Sequence, residues 1–266
     1  ARIRALEVSL FSDAFIEQLL ACKSAEQVLQ SVVEKGWGDM DTEHDAEAVL
    51  KREEEKAWAV IRDVAPDMSV FDVLSYPKLY HNLKAAVKEV CTGVKNPAMF
   101  YDDCPIPGEE MYQIIESREF SRLPGNMSRT AQEALDTLLH TGDGQLCDII
   151  VDRAALEAIE EAGKKSGEPI MENYADTTVA IADIKIAVRS QKTGKSAEFM
   201  RSAMAECDSL SLDQLIRAAL SGAEEIAQYL EGTSYAGGAD ALRESPSAFE
   251  RWCDNRMIET LKSQKY

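Results

Sequence analysis

Thr193-Gly194-Lys195-Ser196 carries the lettering that closes a phosphate-binding loop, in which backbone amides and a lysine cradle a triphosphate. That chemistry needs a glycine where Arg189 stands and a strand leading into the loop, where this chain reads as helix. The tetrapeptide is therefore expected to be a surface turn that ends a helix. Asp102-Asp103 is the kind of pair that holds magnesium when a second Asp-rich segment on a facing helix completes the cluster. Here it lies in a Pro-rich turn with only Glu109-Glu110 downstream, so a capped turn is expected instead. His44, between Glu43 and Asp45, could supply one metal ligand, but His81 and His140 fall in unrelated segments without His-x-x-x-His or His-Glu spacing. His81 is expected at a partly buried contact, and His140 at a helix end. No Gly-x-Ser-x-Gly elbow presents a serine nucleophile. Cys22, Cys91, Cys104, Cys147, Cys207 and Cys253 stand singly, with no Cys-x-x-Cys pair, and read as reduced thiols, most of them small core fillers. No catalytic, cofactor-binding or metal-binding residue is assigned.

The segments that would carry such residues show a stronger pattern. Asn82-Leu83-Lys84-Ala85-Ala86-Val87-Lys88 returns as Asp183-Ile184-Lys185-Ile186-Ala187-Val188-Arg189, about one hundred residues on, far above the ~20–50 residues of solenoid units. Asp152-Arg153-Ala154-Ala155-Leu156-Glu157-Ala158-Ile159 echoes as Asp254-Asn255-Arg256-Met257-Ile258-Glu259-Thr260-Leu261 with nearly the same period. Ala25-Glu26-Gln27-Val28 with Gln30 and Trp37 matches Ala223-Glu224-Glu225-Ile226 with Gln228 and Tyr235, close to two periods apart. The chain thus holds two repeats and part of a third.

Within the repeats, the apolar spacing from Leu212 to Leu230 predicts two helices in sequence, broken at a capping box of Ser221 with Glu224. Ser24 with Gln27 repeats the device. A helix over 45–64 is expected to turn Leu50, Ala57, Ile61 and Val64 to the core and Glu53-Glu54-Glu55 to water. The stretch around Val179, Ile181, Ile184, Ile186 and Val188 is β-branched, but its partner at Asn82–Lys88 is built of helix formers, so both are expected to be helices. Breaks are expected at 102–108, 123–126, 141–144, 192–195 and from Gly232 through Gly238. Trp58 and Trp252 are placed alike after Trp37 and Tyr235, which suggests large aromatics filling the same gap in each copy. The prediction is an all-α protein of three helical domains, over 1–107, 108–208 and 209–266, the third incomplete and sharing the N-terminal helix of the first.

Lys+Arg 29 against Asp+Glu 47 leaves a net charge of −18, which repels phosphate backbones and anionic lipid and favours a basic protein partner. No stretch approaches the ~18–20 apolar residues of a membrane span and no signal region opens the chain, which points to the cytosol. Arg2-Ile3-Arg4-Ala5-Leu6-Glu7 reads as helix interior without a capping residue before it, so further residues are expected upstream.

Ala1-Arg2-Ile3-Arg4-Ala5-Leu6-Glu7, Tyr80-His81-Asn82-Leu83-Lys84, Ala182-Asp183-Ile184-Lys185 with Arg189, and Phe249-Glu250-Arg251-Trp252-Cys253-Asp254-Asn255 together resemble the C subunits of the bacterial and archaeal A/V-type rotary ATPases. Their eukaryotic V-ATPase counterparts are the d subunits. The resemblance runs over essentially the whole chain. It implies three similar domains arranged as a pseudo-threefold funnel, a non-catalytic monomer within a hetero-oligomeric complex. It also implies a socket between the central axle subunits and the membrane proteolipid ring, at the cytoplasmic face of the membrane, with no cofactor and no nucleic acid. In that family a third Asn-Leu-Lys helix is expected near position 284, beyond Tyr266. A helical-repeat scaffold unrelated to ATPases is the competing class; an all-α enzyme is the third.

Overall fold

The computed structural model describes residues 2–39 and 45–262, all of whose regular elements are helices. They fall into two compact units, Ala1–Met68 and Ser69–Tyr266.

The first unit holds α1 (Arg2–Glu7), α2 (Asp13–Leu20), α3 (Ala25–Glu34) and α4 (Ala46–Val64). Each of the last three starts on a side chain that satisfies an orphan amide: Ser12 accepts from Phe15 N, Ser24 from Gln27 N and Asp45 from Glu47 N. Gln27 returns the bond at 3.0 Å to Lys23 N, one residue before the expected partner. Aromatic packing holds the turn after α3, where Trp37 stacks on Phe11 at 4.2 Å. The expected core face of α4 is wrong. Leu50 is 60% and Val64 44% exposed, and Ala57 is exposed with them; Ile61 is half-buried, and the buried residue is Val49. The cause is Glu53, which accepts from Gly38 N at 2.8 Å and so turns inward the side of the helix that carries Val49.

The second unit begins with α5 (Asp72–Thr92), α6 (Gly108–Ser117), α7 (Met127–Thr141) and α8 (Gly144–Ser166). It continues with α9 (Pro169–Thr193), α10 (Ala197–Ala203), α11 (Leu212–Ser221), α12 (Ala223–Glu231), α13 (Ala236–Glu244) and α14 (Pro246–Lys262). Pro169 at the first turn of α9 lacks an amide that would be orphaned there anyway. The β-branched run lies within α9, as its repeat partner predicted. The long helices α5 and α9 both stop on a left-handed glycine, Gly93 and Gly194, one repeat apart.

Each long helix gathers a core with the helices that follow it. Leu83 and Val87 of α5 join Ile114 of α6, Leu135 of α7 and Val151 of α8. Ile184 and Ala187 of α9 join Leu215 of α11, Leu230 of α12 and Cys253 of α14. The element order α5, α6, α7, α8 thus recurs as α9, α11, α12 with α13, and α14. Fully burying each such aliphatic side chain contributes about 1.5–3 kcal/mol, so these positions carry the repeat. α8 and α9 pack closely through Gly163: a β-carbon there would lie 2.3 Å from Ala175 Cβ.

Two sequence expectations about this unit need correction. Ser221 does not cap α12: its hydroxyl donates back to Arg217 O at 3.0 Å, and Gly222 stands at the cap without a side-chain bond. The break expected through Gly238 ends at Tyr235, because Gly237 and Gly238 lie inside α13. They are there for space: β-carbons at Gly237 and Gly238 would meet the Trp252 ring at 2.8 and 2.9 Å.

Candidate interaction site

The residues that could do chemistry are dispersed and structurally employed. Ser196 caps α10 by accepting from Phe199 N, and Lys195 donates to Gln145 at 3.1 Å while lying over the Phe199 ring. Gly194 ends a helix and Arg189 lies within that helix, so the loop has neither the preceding strand nor the convergent amides of a phosphate cradle. Asp103 pairs with Lys78, and Glu110 with Arg122 at 2.7 Å. His81 contacts Met99 O at 2.8 Å and packs edge-on to Tyr101; His140 contacts Asp136 O at 2.6 Å in the last turn of α7. His44 lies outside the described residues. All six cysteines are free, and burial pushes the Cys147 and Cys253 thiols up to about 11 and Cys207 up to about 12. Such thiols are protonated near neutral pH and poor nucleophiles. Trp252 packs against Tyr235 and Phe249, in line with its reading as an aromatic filler.

What the structure does bring together is the repeated motif itself. Asn82 is fully buried; its Oδ1 accepts from Tyr101 N at 2.9 Å, and its Nδ2 donates to Tyr101 O at 2.8 Å and to Ile106 O at 3.3 Å. One polar side chain on α5 thus pins the long loop before α6. Asp183, its counterpart on α9, is equally buried and accepts from Ala205 N at 3.3 Å, in the loop before α11. Its Oδ2 has no partner among the described residues. Burial therefore pushes the Asp183 carboxyl up to about 8, against the pull of the Ala205 amide.

Next to each buried polar residue a cation points outward. Lys84 meets Asp152 at 2.7 Å and Lys88 meets Asp148 at 2.6 Å, both on α8. In the second copy Lys185 meets Glu250 of α14 at 2.5 Å. Glu250 is the counterpart of Asp148, so Lys185 has taken the carboxylate that the repeat would assign to Arg189. In the first unit Arg2 of α1 likewise reaches Asp63 of α4 at 3.0 Å. These partly exposed pairs contribute about 0–1 kcal/mol each and serve more to set which helix lies beside which.

An acidic cluster at the side of α8 and α9 has almost no signature in the sequence. Carboxylate oxygens of Glu160, Asp176 and Asp208 come within 4.8 Å of one another. Asp176 accepts from the amides of Asp208 and Ser209, at 2.6 and 3.1 Å. Lys164 Nζ reaches Glu160 at 2.9 Å and Asp208 at 3.2 Å. The bonds to these two carboxylates push Lys164 up to about 12, while burial pushes the Glu160 carboxyl up against the attraction of Lys164. An ammonium group thus bridges two of the three carboxylates and offsets part of their charge. The only local signal was the Glu160/Lys164 spacing of one turn; the third member comes from a distant loop.

No described helix is long and apolar enough to cross a membrane. Among known proteins, the chain is similar to the C subunit of the A-type ATP synthase of Methanocaldococcus jannaschii, with 24% identity over 289 residues, covering 97% of this chain and 72% of that protein. The sequence pattern of one family, described as ATP synthase (C/AC39) subunit, matches residues 1–266. The chain belongs to the ATP synthase (C/AC39) subunit family.

Proposed function

We propose that this chain is the non-catalytic central-stalk subunit of an A/V-type ATP synthase, a socket that couples the rotating axle subunits to the membrane proteolipid ring during proton or sodium transport. The observation that carries this reading is the family match along the entire chain. The dispersed state of the reactive residues agrees with a part that transmits force and performs no chemistry. Rigid cores built on the two long helices suit the role, because a coupler that yields under torque loses coupling. The division into repeats at 1–107, 108–208 and 209–266 and their arrangement as a funnel belong to the same reading, the second and third copies then beginning after the long helices α5 and α9. The chain would lie at the cytoplasmic face of the membrane, held there by protein partners.

Co-purification from native membranes tests this, with peptide identification of what accompanies the chain. Axle subunits and the proteolipid should both be recovered in stoichiometric amounts. Recovery of the chain without either one would overturn the socket reading.

A further inference from the structure

Beside the α9 motif lies a cleft of about 530 Å³, bounded by α9, α12, α13 and α14. That volume is within the roughly 300–1,000 Å³ of ligand clefts. Its floor is apolar: Ile226 and Phe249 are buried, Val188 and Leu242 half-buried. Its rim carries Lys185, Arg189 and Lys192, spaced i, i+4 and i+7 along one face of α9, a line about 10 Å long. The carboxylates at the cleft are already committed, Glu250 to Lys185 and Glu224 to Arg243 at 2.5 Å each. Arg189 and Lys192 are exposed and have no ion-pair partner among the described residues.

The first copy shows what satisfies such a stripe. There Lys84 and Lys88 face Asp152 and Asp148, carboxylates one turn apart on a helix. The second copy repeats these cations as Lys185 and Arg189 and adds Lys192 where the first has Cys91, but α14 supplies a carboxylate to Lys185 alone. We infer that the cleft between α9 and α12–α14 is a docking site for an acidic amphipathic helix of a partner protein, whose apolar face enters the cleft and whose carboxylates, one turn apart, pair with Arg189 and Lys192. Cations in a line suit a helix; a phosphate group needs donors that converge on a point. The chain's overall charge of −18 opposes an acidic ligand at long range, but screening within about 8 Å at physiological salt leaves the local cations dominant. The inference stands on this cleft and does not rest on the stalk role, so either can fail alone.

Fluorescence anisotropy with the full chain tests it. The probe is a capped synthetic peptide of about 18 residues, long enough to form helix when bound, with leucines on one helical face and glutamates flanking them at i, i+4 and i+7. The control has lysine for each glutamate. The acidic peptide should bind in the micromolar range and the lysine peptide at least ten-fold more weakly. Arg189→Glu with Lys192→Glu should reverse that preference, with an unchanged melting temperature because both side chains are exposed. In a second variant, Leu242→Asp, acidic-peptide binding should fall at least ten-fold without reversal. Equal binding of both peptides, no binding of either, or an acidic peptide indifferent to the charge reversal overturns the proposal. So does competition by inorganic triphosphate at peptide-like affinity, or a dimer of the chain that the charge reversal disperses.

Discussion

Asn82 and Asp183 differ by one atom type and hold equivalent places, and the difference has a consequence for stability. The amide of Asn82 uses both ends against the loop, whereas Asp183 has one bonded oxygen and one buried without a partner among the described residues. Burial raises the Asp183 carboxyl from 3.8 to about 8, so the folded chain holds a proton that the unfolded chain releases. Stability from this group is therefore complete below about pH 4 and declines as pH rises to about 8. Asp183→Asn should remove that slope. Below about pH 4 the variant should match the natural chain; as pH rises to about 8 it should gain on it by up to about 1.4 kcal/mol per pH unit. Urea unfolding across this range checks it, and parallel curves for the two proteins would show that Asp183 is not proton-bound in the fold. Sequence alone revealed the Asn/Asp correspondence but not the burial, because the repeat aligns letters without saying what surrounds them.

Helices and most of their ends were legible along the chain, because propensity and apolar spacing act within a turn or two. The α9 stretch was resolved by its partner, and Gly194 ended a helix as the turn chemistry required. Where the expectations failed, at α4 and α13 a contact from another element outweighed the local signal, and at Ser221 a bond back to Arg217 in its own helix did. Gly163 is a case with a measurable effect. Alanine is favoured over glycine in a helix by up to about 1 kcal/mol. Here, though, a β-carbon would also lie 3.0 Å from Met171 O, a backbone atom that cannot step aside alone. Overpacking costs typically about 1–3 kcal/mol, so Gly163→Ala should lower the melting temperature, and a rise would show that α8 and α9 can separate freely. Leu83→Ala and Ile184→Ala, both at fully buried sites, should each cost about 2–5 kcal/mol in chemical unfolding. A large effect at only one of them would deny the two long helices equal standing.

Across the full chain, burial is unevenly distributed. The core clusters lie in Ser69–Tyr266, whereas in Ala1–Met68 Val49 is the one fully buried apolar residue among those described. Hydrogen exchange should therefore be faster in α1–α4 than in α5, α8 and α9, since local opening needs little apolar surface to be exposed there. Equal protection in the two units would refute this. The charge of −18 acts over the same range. On the proposed stalk role, association with the axle subunits should slow several-fold as salt rises, as for a steered encounter. Single changes such as Glu54→Gln should have little effect, because exposed charges contribute about 0–1 kcal/mol each. A salt-independent rate would reduce the acidity to a solubility feature.

The all-helical class, the period of about one hundred residues, the equivalence of Asn82-Leu83-Lys84 with Asp183-Ile184-Lys185, and the family all follow from the order of residues. They depend on local propensity and on patterns copied along the chain, which are present in one dimension. It took folding in three dimensions to turn Val49 rather than Leu50 inward, to give Lys185 the carboxylate its repeat would assign to Arg189, and to bring Asp176 and Asp208 up to Glu160. Each of these is set by distances of a few ångströms between segments far apart in sequence, where a single hydrogen bond or ion pair selects among neighbours that local spacing leaves equivalent.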